Sequence, residues 1–99
     1  MVLESAEILV KPGMEEAFEA GVRQATPLFQ RARGCSGMGL QRGIDNPLAY
    51  RLLVQWATLE DHMVHFRESE DFQEWRRLVG HCFDGAPNVT HLSGVLDAF

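Results

Sequence analysis

Residues 49–66 constrain this chain most, because the apolar repeat changes there from a period of two to a helical one within a single step. Tyr50, Leu52, Val54 and Trp56 alternate with Arg51, Leu53, Gln55 and Ala57, which predicts a pleated strand with one face turned to a core. Thr58 follows as an N-cap whose hydroxyl accepts from an unpartnered first-turn amide, with Asp61 three residues on closing an approximate capping box. The strand therefore feeds directly into a helix, and Trp56, His62, His65 and Phe66 fall along the joint. Any chemistry this chain performs is expected there.

The rest of the chain supplies partners for that unit. Residues 3–10 read as an opening strand with Ala6, Ile8 and Val10 on one side and Ser5, Glu7 and Leu9 on the other. Pro12-Gly13 stops it and leads into a helix whose first turn carries Glu15 and Glu16 at the positive end. Met14, Phe18, Val22, Ala25 and Phe29 form one stripe along that helix. Pro27 is expected to bend or restart it, and Gly34 to cap it in a left-handed conformation.

Residues 35–42 read as a second strand whose face with Cys35, Gly37, Gly39 and Gln41 admits a closely approaching backbone or ligand, or else marks a bulge. Gly43 to Pro47 forms the turn into the strand described above. Beyond Thr58, Leu59, Met63 and Phe66 are read as the inward stripe, and Ser69 as a second cap before Phe72, Trp75, Leu78 and Val79 continue it. Gly80 ends that piece. A last strand is read over Val89 to Leu96, with Val89, His91, Ser93 and Val95 facing one way.

Strand, helix, strand, strand, helix, strand is the α+β, ferredoxin-like βαββαβ order, with both helices on one face of a four-stranded antiparallel sheet. The other face would carry Leu9, Leu53 and Leu92 into water, so a second copy packing sheet against sheet is the expected cover. Ninety-nine residues suit a single domain, 1–99, and a monomer of that size buries only about 60 to 65% of its unfolded surface. A homodimer is expected on both grounds.

Fourteen acidic against nine basic residues give a formal charge of -5. That balance repels phosphate backbones, and the arginines neither converge nor interleave with aromatics, so no nucleic-acid partner is expected. No apolar run approaches the roughly 20 residues of a membrane span, and the N-terminal residues lack the basic-then-apolar pattern of a secretion signal. Cys35 and Cys82 are too isolated for a disulfide framework or a metal knuckle; they read as small buried hydrophobes in a cytoplasmic protein. His62, His65, His81 and His91 form no short metal signature, and no Gly-rich nucleotide loop is present. Neither metal nor cofactor is therefore expected.

The opening strand ending in Lys11-Pro12-Gly13, the Gly34-Cys35 turn, the Asp45-Asn46-Pro47 hairpin, and Trp56 followed by His65 and Ser69 together resemble the antibiotic biosynthesis monooxygenase domain family. That family lies within the dimeric α+β barrel superfamily, and the resemblance spans nearly all of the chain. It implies a pocket between helices and sheet in each subunit of a dimer. Members differ in the chemistry they perform, from cofactor-independent oxygenation of polyketide phenols and anthrones to quinol oxidation and haem degradation. For the haem-degrading branch the matching positions here are Ala6, His65 and Trp75, so the amide of that branch is lost and its two ring types are exchanged. Haem breakdown is not expected.

With that resemblance, His65 is the expected catalytic residue, an imidazole at the pocket wall that accepts a phenolic proton near neutrality; the alternative is a histidine that only packs and satisfies backbone. Trp56, Tyr50, Phe66, Phe72, Trp75 and His62 are expected to bind a small aromatic ligand, with one of the two tryptophans in the pocket and the other in the core. The expected activity is a monooxygenase acting on a phenolic, quinol or polyketide-like aromatic without metal or flavin. A non-enzymatic ligand-binding dimer and a proton-transferring isomerase or lyase are the alternatives.

Overall fold

The computed structural model describes residues 1–99. Strands β1 (Val2–Leu9), β2 (Cys35–Arg42), β3 (Ala49–Trp56) and β4 (Asn88–Leu92) form one antiparallel sheet in the order β2-β3-β1-β4. The ferredoxin-like arrangement read from the sequence is the one found. β1 and β3 take the centre because they alternate most regularly. Their register sets Glu4 opposite Val54, Ala6 opposite Leu52 and Ile8 opposite Tyr50, all on the helix-facing side. β4 joins the other edge of β1, with His91 opposite Glu4 and Val89 opposite Ala6.

Helix α1 (Glu15–Gln30) packs its expected stripe, burying Phe18, Val22, Ala25 and Phe29. Pro27 neither ends nor restarts the helix. The amide it lacks would bond the carbonyl of Arg23, a residue on the exposed side of the helix, and the Arg31 amide donates back to the Pro27 carbonyl at 3.2 Å. Gly34 adopts a φ of 77° and passes against Asp61, so any β-carbon there would run into the carboxylate. A register shift between Cys35 and Gly37 settles the glycine-rich strand as bulged.

The segment after β3 departs from expectation in its winding. The Asp61 amide donates to the Thr58 hydroxyl at 3.1 Å, as an N-cap requires. Asp61 does not return the favour; its carboxylate faces the Arg33 guanidinium at 3.5 Å. From Asp61 to Phe66 the chain forms a π-helix, with the Arg67 amide bonded to the His62 carbonyl five residues back. This wider winding turns Asp61, His62 and Phe66 inward and leaves Leu59 44% exposed, in place of the Leu59–Met63–Phe66 stripe of a regular helix. Short π segments of this kind recur at functional sites.

Ser69 re-caps the chain as expected, its hydroxyl accepting from the Phe72 amide at 3.2 Å. Helix α2 (Glu70–Val79) then buries Trp75 and Val79, and a 3₁₀ turn (Gly80–Cys82) leads to β4. β4 ends at Leu92 rather than Leu96; the residues beyond carry no regular structure and are exposed, Val95 at 96%. One cluster of 16 buried residues fills the space between helices and sheet. On the opposite face Leu9 and Leu92 stay half exposed. No helix is long and apolar enough to cross a membrane.

Candidate functional site

Glu4 is an acid placed in phase with a core stripe. Two residues before Ala6 on the same face of β1, it is turned beneath the helices and is only 5% exposed. The Trp56 indole donates to its Oε1 at 3.0 Å, and His62 Nε2 approaches the same oxygen at 3.3 Å. The other side of the His62 ring, Nδ1, lies 2.8 Å from His91 Nε2. The His62 ring also stacks on Trp56, with 5.2 Å between centroids and 16° between planes. Glu4, His62 and His91 are thus strung in series from the centre of the sheet toward its edge.

Burial governs how this series holds protons. It raises the Glu4 carboxyl to about 7, against the opposing effects of the Trp56 hydrogen bond and the Arg67 charge. It lowers the His62 imidazole to about 4, assisted by His91 and Arg67. Of this pair it is the carboxyl, not the imidazole, that gains and loses its proton near neutrality. Glu4 Oε2 accepts no protein hydrogen bond, yet no fully enclosed side-chain polar atom lacks a partner. That oxygen therefore retains accessible surface.

Glu4 lines a cavity of about 680 Å³ between helices and sheet. Phe66, Phe72, Trp75 and Phe29 wall it from the helix side, Ala6, Ile8 and Leu52 from the sheet, and Gly85 to Pro87 close one end. Ten of its seventeen lining residues are hydrophobic, while Glu4 and His62 are its buried polar groups. That combination is the usual make-up of a small-molecule site. A second hollow of about 600 Å³, near Glu7, Arg51, Asp84 and Asn88, is more open and has no buried carboxylate or imidazole; its one buried titratable group is Tyr50.

Four of the residues singled out from sequence, His62, Phe66, Phe72 and Trp75, come together in the cavity. Trp56 is fully buried behind that wall, where it holds Glu4 and His62 and does not face the cavity itself. Of the two tryptophans, Trp75 is the one in the pocket. Tyr50 points elsewhere: its hydroxyl donates to Glu19 at 2.7 Å, and burial together with that contact pushes it up to about 12. His65 is exposed on the outer side of the π-helix and takes no part in the cavity wall. Its expected place at the wall is held by His62, which turns inward together with Phe66 four residues on. Sequence reasoning missed Glu4 and His91. The signal for Glu4 lay in its phase with Ala6 and Ile8, and for His91 in its alternation with Val89.

Both cysteines are free thiols whose pKa burial raises, Cys35 and Cys82 alike, which keeps them protonated. No set of three or more His, Cys, Asp or Glu side chains converges to hold a metal ion.

The sequence profile of the antibiotic biosynthesis monooxygenase family matches residues 1–78. Bacillus subtilis YczJ, an uncharacterized protein, is 38% identical over 95 residues, 96% of this chain and all of its own. A crystal structure of a protein from Bordetella bronchiseptica, assigned to the same family, shares 58% identity and superposes with a TM-score of 0.95, covering 96% of this chain and 97% of that one. SnoaB from Streptomyces nogalater, a cofactor-independent oxygenase, shares 14% identity and a TM-score of 0.83 over 97% of this chain and 94% of its own, a likeness of fold. With the family profile over most of its length and relatives of this closeness, the chain belongs to the antibiotic biosynthesis monooxygenase family.

Proposed function

We propose that the protein is an oxygenase for a phenolic, quinol or polyketide-like aromatic, with Glu4 as the base that starts the reaction. The observation that carries this reading is an accessible carboxylate oxygen, on a carboxyl raised to about 7, facing an aromatic-walled cavity. A flat ring fits against Phe66, Phe72 and Trp75 with its hydroxyl directed at Glu4 Oε2. His62 acts as a positioning residue: it fixes Oε1 from one ring nitrogen and is itself held by His91 through the other. His65 has no role in this scheme.

For an anthrone the chemistry balances without an external reductant. Ionised Glu4 takes the proton of the enol, and the resulting enolate passes one electron to dioxygen. The carbon radical and superoxide combine into a peroxide, which takes a proton; loss of water then leaves a carbonyl. One oxygen atom stays in the product, the other leaves as water, and the ring methylene supplies all four electrons. The same fold in Streptomyces SnoaB hosts a cofactor-independent oxygenase, which supports the assignment of such chemistry to this architecture. A second copy covering Leu9 and Leu92 on the open face completes the reading as a homodimer.

The test is oxygen uptake with a panel of anthrones and quinols. Wild type and His65→Ala are expected to turn over alike, with rates rising with pH through about 7 as Glu4 ionises. Glu4→Gln, which keeps an acceptor for Trp56, is expected to be at least about 100-fold slower. Equal rates for Glu4→Gln and wild type would refute the base. Product formed equally well without oxygen would replace the oxygenase by a proton-transferring isomerase using the same pair.

A further inference from the structure

Two guanidinium groups without a carboxylate partner stand at the solvent edge of the aromatic cavity. Arg67 follows the π-helix and Arg76 lies on α2; both are exposed, and both line the cavity. In a chain where acids outnumber bases by 14 to 9, arginines are readily paired. The arginines in ion pairs here are Arg31, Arg33, Arg42, Arg51 and Arg77, bound to Asp71, Asp61, Glu15 and Glu19, Glu7 and Glu74 respectively. Arg67 reaches only the Met63 sulfur, at 3.6 Å, and Arg76 makes no side-chain hydrogen bond. The charge of Arg67 is felt at both Glu4 and His62, so it acts into the cavity and not only outward.

We propose that the ligand of this cavity is an aromatic carboxylate, its ring seated among Phe66, Phe72 and Trp75 and its carboxylate held at the mouth by Arg67 and Arg76. Planar guanidinium forks suit a carboxylate in a way that lone ammonium groups do not, because they bind both oxygens at once. A neutral ring of the same size would gain the apolar wall alone. The one acid lining the cavity, Glu4, would oppose a second negative charge, but it lies against Trp56 and His62 deep in the wall while the arginines are at the edge. Ring and charge are therefore recognised at opposite ends. This inference rests on the preceding reading only in taking the cavity as the ligand site; it does not depend on oxygen chemistry.

Binding of 1-hydroxy-2-naphthoate and 1-naphthol, followed by quenching of tryptophan fluorescence at pH 6, tests it. At that pH Glu4, pushed by burial to about 7, mostly keeps its proton. The naphthoate is expected to bind at least about tenfold tighter than the naphthol in low salt, with the advantage shrinking as salt is added. The Arg67→Gln/Arg76→Gln double variant is expected to lose that advantage while binding naphthol as wild type does. Arg23→Gln, an exposed arginine outside this cavity, is expected to keep it. Equal affinity of the wild type for the two ligands, or a preference that survives the double variant, would overturn the proposal. If naphthoate binding is selective but the anthrones and quinols consume no oxygen, this inference stands and the oxygenase reading falls; if neither naphthalene binds while the anthrones or quinols turn over, this inference falls and the oxygenase reading stands.

Discussion

Replacing Trp56 by alanine is expected to destabilise the fold by about 4 kcal/mol, the largest effect of any single side chain in the site. Trp56 is fully buried at the end of β3, so truncation leaves a void in the layer between sheet and helices that the surrounding strands cannot close. It also removes the donor that holds Glu4 Oε1 and the ring on which His62 stacks. Trp56→Phe separates these contributions, since it retains much of the volume and loses only the hydrogen bond; about 1–2 kcal/mol is expected. Urea unfolding at matched protein concentration measures both, the concentration being fixed because self-association would add its own stabilisation. A loss below about 1 kcal/mol for Trp56→Ala would mean that the indole does not anchor the site.

Opposite pH slopes in stability are expected from the Glu4→Gln and His62→Gln variants. In the unfolded chain Glu4 titrates near 4.5 and His62 near 6.5, whereas in the fold burial moves them to about 7 and about 4. Between pH 4.5 and 6.5 the unfolded pair carries its one proton on His62 and the folded pair carries one on Glu4. The counts match, so in the wild type this pair contributes almost no slope. Glu4→Gln leaves only His62, which binds more protons unfolded than folded, and stability then rises with pH from about 4 to 6.5. His62→Gln leaves only Glu4, which binds more protons folded than unfolded, so stability falls as pH rises from about 4.5 to 7. Each swing is on the order of 2 kcal/mol after allowance for solvent screening. Slopes of the same sign in the two variants would show that the groups do not exchange a proton on folding.

The strand order, β3 and the Thr58 and Ser69 caps were legible because each rests on a local rule, whereas β4 stops at Leu92, short of the alternation that runs on to Leu96. Alternation marked β3 from Ala49 to Trp56, and Ser69 was readable as a cap because its hydroxyl bonds the Phe72 amide within the same short segment. The π-helix was not legible. No local rule marks it, and its first residue, Asp61, lies against Arg33 and Gly34 from a distant part of the chain. The preference for His65 rests on the family resemblance; helical spacing alone sets His62, three residues after Leu59 and four before Phe66, nearer the inward stripe. Glu4 was hidden for a different reason. Buried acids are costly without partners, and its partners, Trp56 and His62, come from the far half of the chain.

One aromatic-walled cavity beneath the helices is expected to hold the ligand with its hydroxyl against Glu4. A crystal structure with 1,4-dihydroxy-2-naphthoate, grown without oxygen so that the quinol survives, tests it most directly. The ring is expected between Phe66, Phe72 and Trp75, with a hydroxyl within hydrogen-bonding distance of Glu4 Oε2 and the carboxylate toward Arg67 and Arg76. A ligand seated instead in the open hollow beside Tyr50 and Arg51, or held by the outward-facing His65, would contradict it.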